Sequence, residues 1–262
     1  MFDFLFDLPL VIVGPAIILS LCAFALSGLA IFDRYILPRM KFGHEESAFT
    51  SAMIQAVMIF YGLAVALVAV NVWGNHSEAA RTISQEASAV ASLYRDVSSY
   101  PEPVRSELTK SLRDYLDYVI NQAWPLQRKG KIPIGGVEEM NRFQAHLTAF
   151  EPATEGQKLV HAETLRAYNH MIEARRLRLD AVLTGLPAIL WWVVVAGALV
   201  GISSTFFFRV EDSRLERIQV ALLTAFVGLV IVMIFALDRP FRGDLGLDPS
   251  PYQLVYDQLM TP

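Results

Sequence analysis

The sequence predicts an all-α membrane protein: four transmembrane helices, with a helical extramembrane domain inserted between spans two and three. Three observations predict it. Of 262 residues, 54% are hydrophobic and only 18% charged, and the mean hydropathy of +0.40 lies above that of ordinary soluble domains. The apolar residues gather in four runs free of Asp, Glu, Lys and Arg, namely Leu8 to Phe32, Ser47 to Trp73, Ala181 to Phe208 and Ile218 to Leu237. Each reaches the roughly 20 residues that a helix rising about 1.5 Å per residue needs to cross a hydrocarbon core of about 30 Å. The intervening segment, Glu78 to Asp180, is too polar for lipid and repeats with helical, not strand, periodicity.

The first run reads as a retained span. Asp3 and Asp7 stand where a signal peptide would carry basic residues, and the run is longer than a signal-peptide apolar core. A stripe of small residues, Ala16, Ser20, Ala23, Ser27 and Ala30, recurs along it at helical spacing. Such stripes let helices approach closely in lipid, so helix packing is the expected use and pore lining the alternative.

The second run carries a seam through Ser51, Gln55, Met58, Gly62, Ala66, Ala69 and Trp73. It continues through His76, Ala80, Ile83, Ala87, Val90, Tyr94 and Val97 without a proline. Steps of three and four predict one long helix that leaves the bilayer with the same face covered. Gln55 and Asn71 are the most polar side chains inside a span, and an amide in lipid is costly unless it meets protein or water. Ser51, Gln55, Gly62, Ala66 and Asn71 are therefore the pore-lining candidates, with interhelical hydrogen bonding as the plainer alternative. Beyond the membrane exit, His76, Glu78 and Glu86 are candidates for a polar vestibule ring if several subunits surround an axis. A solvated helix face is the competing reading.

Pro101 and Pro103 end the long helix. A second soluble helix starts near them, with Val104, Leu108, Leu112, Tyr115 and Val119 on one face, and should stop at Trp124 before Pro125. A connection rich in Gly and Pro, Pro125 to Gly136, leads to a short helix from Val137 to about Phe150. Thr154 with Gln157 then makes a capping box for a last soluble helix. Leu165, Tyr168, Ile172, Leu179 and Val182 keep helical spacing toward the third run, so this helix is expected to enter the membrane continuously, with Pro187 kinking the span. Gly197 and Gly201 form a GxxxG contact in that span. The fourth run is followed by a tail in which Ser250-Pro251 can open a final short helix. Asp238, Arg239, Arg242 and Asp244 follow the last membrane exit, and their alternating charges can tie the tail to the base of the stalk. Attraction of anions by the arginines is the rival reading.

The resulting division is residues 1–77 for spans one and two, 78–180 for a helical domain continuous with spans two and three, 181–237 for spans three and four, and 238–262 for a tail docking on the stalk. Lys and Arg counts over the short loops (Arg34, Arg39, Lys41, Arg209, Arg214, Arg217) favour those loops inside the cell and the large domain outside the cytoplasm. Arg175, Arg176 and Arg178 pull the other way.

Several function classes fall away. A net charge of −4 offers no footing for nucleic acid. The single cysteine, Cys22, has no disulfide or zinc partner. His161 and His170 do not share a helix face in ligand register, and no HExxH completes a site, so no metal and no cofactor are expected. No acid or base sits in mid-span to serve a proton relay. Catalytic motifs of the GxSxG, P-loop, GxGxxG or CxxC kinds are missing from the sequence, so no enzyme is expected.

Glu86-Ala87, Leu93-Tyr94-Arg95, Tyr115-Leu116 and Trp124-Pro125, and above all the tail Leu237-Asp238-Arg239-Pro240-Phe241-Arg242-Gly243-Asp244-Leu245-Gly246, resemble the bestrophin-like family of bacterial membrane proteins. The resemblance covers about residues 50 to 258. It implies four spans, a helical insert between the second and third, and a distant kinship to bestrophins, which are pentameric anion channels of that layout. No aromatic pore neck or acidic calcium clasp of the bestrophin type stands in this sequence, so no pore or calcium residue is carried over. The expected function is an oligomeric channel-like or pore-forming membrane protein of a bacterial inner membrane, embedded in lipid and passing inorganic ions, anions first. The alternative is a non-conducting membrane-anchored scaffold or sensor whose helical domain binds a partner.

Overall fold

A computed structural model describes residues 3–39, 44–207 and 212–260. Lys41, Phe208 and Arg209 lie outside the described residues, so two of the six loop charges used for orientation have no structural counterpart.

Nine α-helices follow one another among the described residues: α1 (Leu10–Ile31), α2 (His44–Val97), α3 (Val104–Tyr118), α4 (Trp124–Gln127), α5 (Gly136–Ala149), α6 (Glu155–Val182), α7 (Ala188–Ser204), α8 (Ser213–Asp238) and α9 (Ser250–Val255). The stretches Leu10–Arg39, Ser51–Val97, Ala188–Phe207 and Ser213–Asp238 are long and apolar enough to cross a membrane. The chain divides into two compact units, Met1–Gly74 with Gly185–Asp238, and Asn75–Thr184 with Arg239–Pro262.

In the first unit α1 lies along α8. Glycine permits the approach: a methyl group at Gly228 would stand 3.1 Å from Ile18, and one at Gly14 would touch Val232. α7 meets α2 through the expected GxxxG, because Gly197 receives the ring of Tyr61 and Gly201 the sulfur of Met58. The Tyr61 hydroxyl donates to the Val194 carbonyl at 3.0 Å. Val65, Val68 and Val72 of α2 share a buried cluster with Val194, Ala198, Ile231 and Ile234.

The second unit has a core of Ile83, Val90, Leu93 and Val97 from α2, Leu108, Leu112, Tyr115 and Leu116 from α3, Phe143 and Leu147 from α5, and Met171 from α6. The capping box at α6 forms as the sequence indicates, with Thr154 Oγ1 accepting from the Gln157 amide at 3.2 Å and Gln157 Oε1 accepting from Thr154 N.

Three expectations need correction. The helix from Val104 does not stop before Pro125. A π-helical turn, Val119–Ala123, carries it into α4, where Pro125 occupies the first turn and has no amide to lose. The last soluble helix does not run into the third span. α6 ends at Val182, and α7 begins anew after Pro187, whose extended backbone (ψ 142°) caps it. A proline ring in mid-helix would clash with the preceding turn, so the chain breaks over 183–187. Within the first unit the covered face of α2 is also rotated by one position from the predicted seam. Ile54, Val65, Val68 and Val72 are buried, whereas Gln55, Gly62, Ala66 and Trp73 are exposed.

Candidate functional site

The outward face of α2 in the first unit holds most of the pore-lining candidates. Gln55, Gly62, Ala66 and Asn71 are all exposed on the single chain, and Ser51 is half-buried. The Gln55 amide makes no hydrogen bond within the described chain. A methyl group at Gly62 would meet nothing within 4 Å, so open space lies beside this face. The small stripe of α1 behaves in the same way. Ala16, Ser20, Ala23, Ser27 and Ala30 are exposed, and α1 instead buries Val13, Gly14, Ala25 and Leu29. Among the described residues nothing in the chain covers that stripe. The Ser20 and Ser27 hydroxyls return to backbone carbonyls of their own helix, at 2.8 Å to Ile17 and 2.6 Å to Ala23.

The vestibule candidates separate. Glu78 is exposed and paired with Arg81 at 3.0 Å. His76 Nε2 lies 3.3 Å from the Leu245 carbonyl in the tail. Glu86 is 0% exposed and lines no vestibule, which corrects that expectation. It sits on the inner line of α2 between Ile83 and Val90, and three side chains converge on it. Arg178 of α6 donates from Nε to Oε2 at 2.6 Å and from Nη2 to Oε1 at 3.3 Å. The Tyr115 hydroxyl of α3 donates to Oε1 in a short bond, and the Tyr252 hydroxyl of α9 donates to Oε2 at 3.1 Å. The Arg178 guanidinium also stands over the Tyr252 ring, 5.7 Å from its centroid.

Burial and the Glu86 charge push the Tyr115 hydroxyl well above its ordinary value. Burial does the same to Tyr252, against the opposing pull of Arg178. For Arg178 burial acts to lower the value, but the Glu86 carboxylate and the two tyrosines outweigh it and hold the guanidinium charged. Sequence reasoning missed Arg178, Tyr115 and Tyr252 as partners. The available signal was a glutamate set in an apolar seam, which demands a buried counter-charge.

The polar face that α2 does expose in the second unit is Arg81, Ser84, Gln85, Ser88 and Ser92. With Glu163, Arg166 and His170 of α6 it lines a groove of about 530 Å³. Among the described residues no group of three or more His, Cys, Asp or Glu could hold a metal ion.

The four tail residues also divide. Asp238, buried at the end of α8, accepts from the Leu186 amide at 2.5 Å and from the Trp191 indole at 3.1 Å, which braces the break before α7. Both of these partners lie in the first unit. Arg239 Nη1 donates to the Leu183 carbonyl at 3.2 Å. Arg242 lies over Gly130, whose φ of +69° suits glycine. Asp244 is exposed in the turn between Gly243 and Leu245. The tail is held further by Trp124, whose indole donates to the Leu247 carbonyl at 3.2 Å and whose ring meets Phe241 and Tyr252.

A family model, the bestrophin-like domain, matches residues 19–252. No curated protein matches the chain. Among solved structures, two crystal structures of a bacterial bestrophin homologue from Klebsiella pneumoniae, each carrying a point mutation, share the fold. One has a TM-score of 0.70 at 9% identity and the other 0.65 at 12%, and both comparisons cover 95% of this chain and 99% of the other.

Proposed function

Because the chain belongs to the bestrophin-like domain family, we propose that it forms a homo-oligomeric, channel-like membrane assembly that passes small inorganic anions along the outward face of α2. One observation carries this reading: Gln55 stands inside the second charge-free run, exposed on the single chain and without a hydrogen-bond partner among the described residues. In hydrocarbon an unmet amide costs several kcal/mol, so this face turns to water or to another copy of the chain. Gly62 and Ala66 leave room on the same face. Its charge-free run offers amide and hydroxyl donors that can hydrogen-bond an anion, and no carboxylate to repel one.

Purified protein in liposomes, assayed for halide and for alkali-cation flux alongside its subunit count, tests the reading. A ring of four or more subunits with halide flux is expected, and Gln55→Leu should lower that flux severalfold with the ring intact. A monomer or dimer without flux overturns it in favour of a non-conducting scaffold or sensor. Cation flux alone overturns the choice of ion.

A further inference from the structure

The connection between α4 and α5 joins basic and exposed apolar residues in one short loop. Arg128, Lys129 and Lys131 follow one another with no acidic residue between Trp124 and Val137. Beside them Ile134 is 82% exposed and Ile132 43%. Three cations directly preceding two exposed isoleucines in one short loop combine the charge and the apolar surface that an interaction site uses. The loop is nevertheless ordered at its base. Gly130 takes φ +69° and its amide donates to the Gln127 carbonyl at 2.8 Å, while the Lys131 amide donates to the Leu126 carbonyl at 3.0 Å.

Hydrogen bonds within the second unit link that base to segments that are, along the chain, a few residues from the ends of two charge-free runs. Arg128 Nη2 donates to the Gly243 carbonyl at 3.3 Å, and Gly243 follows Asp238, the last residue of α8, by a segment that can reach at most about 18 Å. The neighbouring tail residue Leu245 meets His76, which lies about 5 Å along α2 from Trp73, the end of the second charge-free run. Lys129 and Lys131 are exposed and make no ion pair within the described chain. The tail acids Asp244 and Asp248 are both exposed, and Asp248 accepts from the Ser250 amide at 2.9 Å.

We infer that this loop is a peripheral membrane anchor that docks on anionic lipid headgroups. Lys129 and Lys131 take the phosphates, and Ile134 with Ile132 enters the boundary between headgroups and acyl chains. Basic residues at an anionic surface and apolar residues just beneath it are what an interfacial anchor requires. The inference rests on the membrane spans and not on conduction, so it stands or falls separately from the channel reading.

The test uses the full chain, with Cys22→Ser, in liposomes. A nitroxide label is placed at Ile134→Cys, and in a second variant at Leu159→Cys, which is 75% exposed on α6 and outside the loop. In vesicles containing phosphatidylglycerol, the label at position 134 should collide more with dissolved oxygen and less with a water-soluble nickel chelate than the label at 159. Each lysine near such a surface contributes roughly a fivefold factor, so Lys129→Gln with Lys131→Gln should lower the docking equilibrium about 25-fold and return the label to water. Equal nickel accessibility at 134 and 159 overturns the anchor. A label at 134 shielded from both reagents also overturns it, and assigns the loop to a protein contact instead.

Discussion

At Glu86 the charge on one side chain organises the second unit. A lone buried carboxylate would be prohibitive, and it is tolerated because Arg178, Tyr115 and Tyr252 supply four hydrogen bonds to its two oxygens. The pair is 0% and 1% exposed, so removing one member strands the other. Arg178→Ala should destabilise the protein by about 3–5 kcal/mol, whereas Glu86→Leu combined with Arg178→Met should restore much of that loss. Thermal unfolding in detergent checks both, and equal melting of the single and double variants would contradict the assignment. The same cluster sets an alkaline limit. The native state holds the Tyr115 and Tyr252 protons more tightly than the unfolded chain does, so this stabilisation is intact below about pH 10 and is lost as pH rises further. Unfolding followed between pH 9 and 12, on the order of the phenol range, should show a steep loss that Tyr115→Phe with Tyr252→Phe makes shallower.

Single elements show why some boundaries were legible and others were not. The Thr154 and Gln157 capping box could be found in the chain because a cap is a local hydrogen-bond pattern with a fixed spacing. The break over 183–187 was harder to find. The apolar run passes through it, and in a membrane run a proline signals a kink as readily as an end. What holds the break is non-local: Asp238, from the far end of α8, accepts from the Leu186 amide and the Trp191 indole. Asp238→Ala leaves two buried donors unmet and should cost about 2–5 kcal/mol, and Asp238→Asn, which retains an acceptor, should cost less. Faster hydrogen exchange at the Leu186 amide in the alanine variant, measured together with its melting temperature, checks the brace. Unchanged exchange would sink it.

For the whole molecule, the sequence by itself determined the class: four charge-free runs, a helical insert and a long uninterrupted α2. It also determined that Ile83, Ala87, Val90 and Val97 face inward, because in water apolar spacing marks the covered side of a helix. Only the tertiary structure decided that Gln55, Gly62 and Ala66 face away from their own chain while Val65, Val68 and Val72 face into it. It also decided that Glu86 belongs to a buried cluster and not to a vestibule. The physical reason is the solvent. Lipid is as apolar as a helix packing surface, so hydropathy inside a span carries no inward or outward sign, and side-chain shape and hydrogen-bond partners contributed by distant segments settle the face.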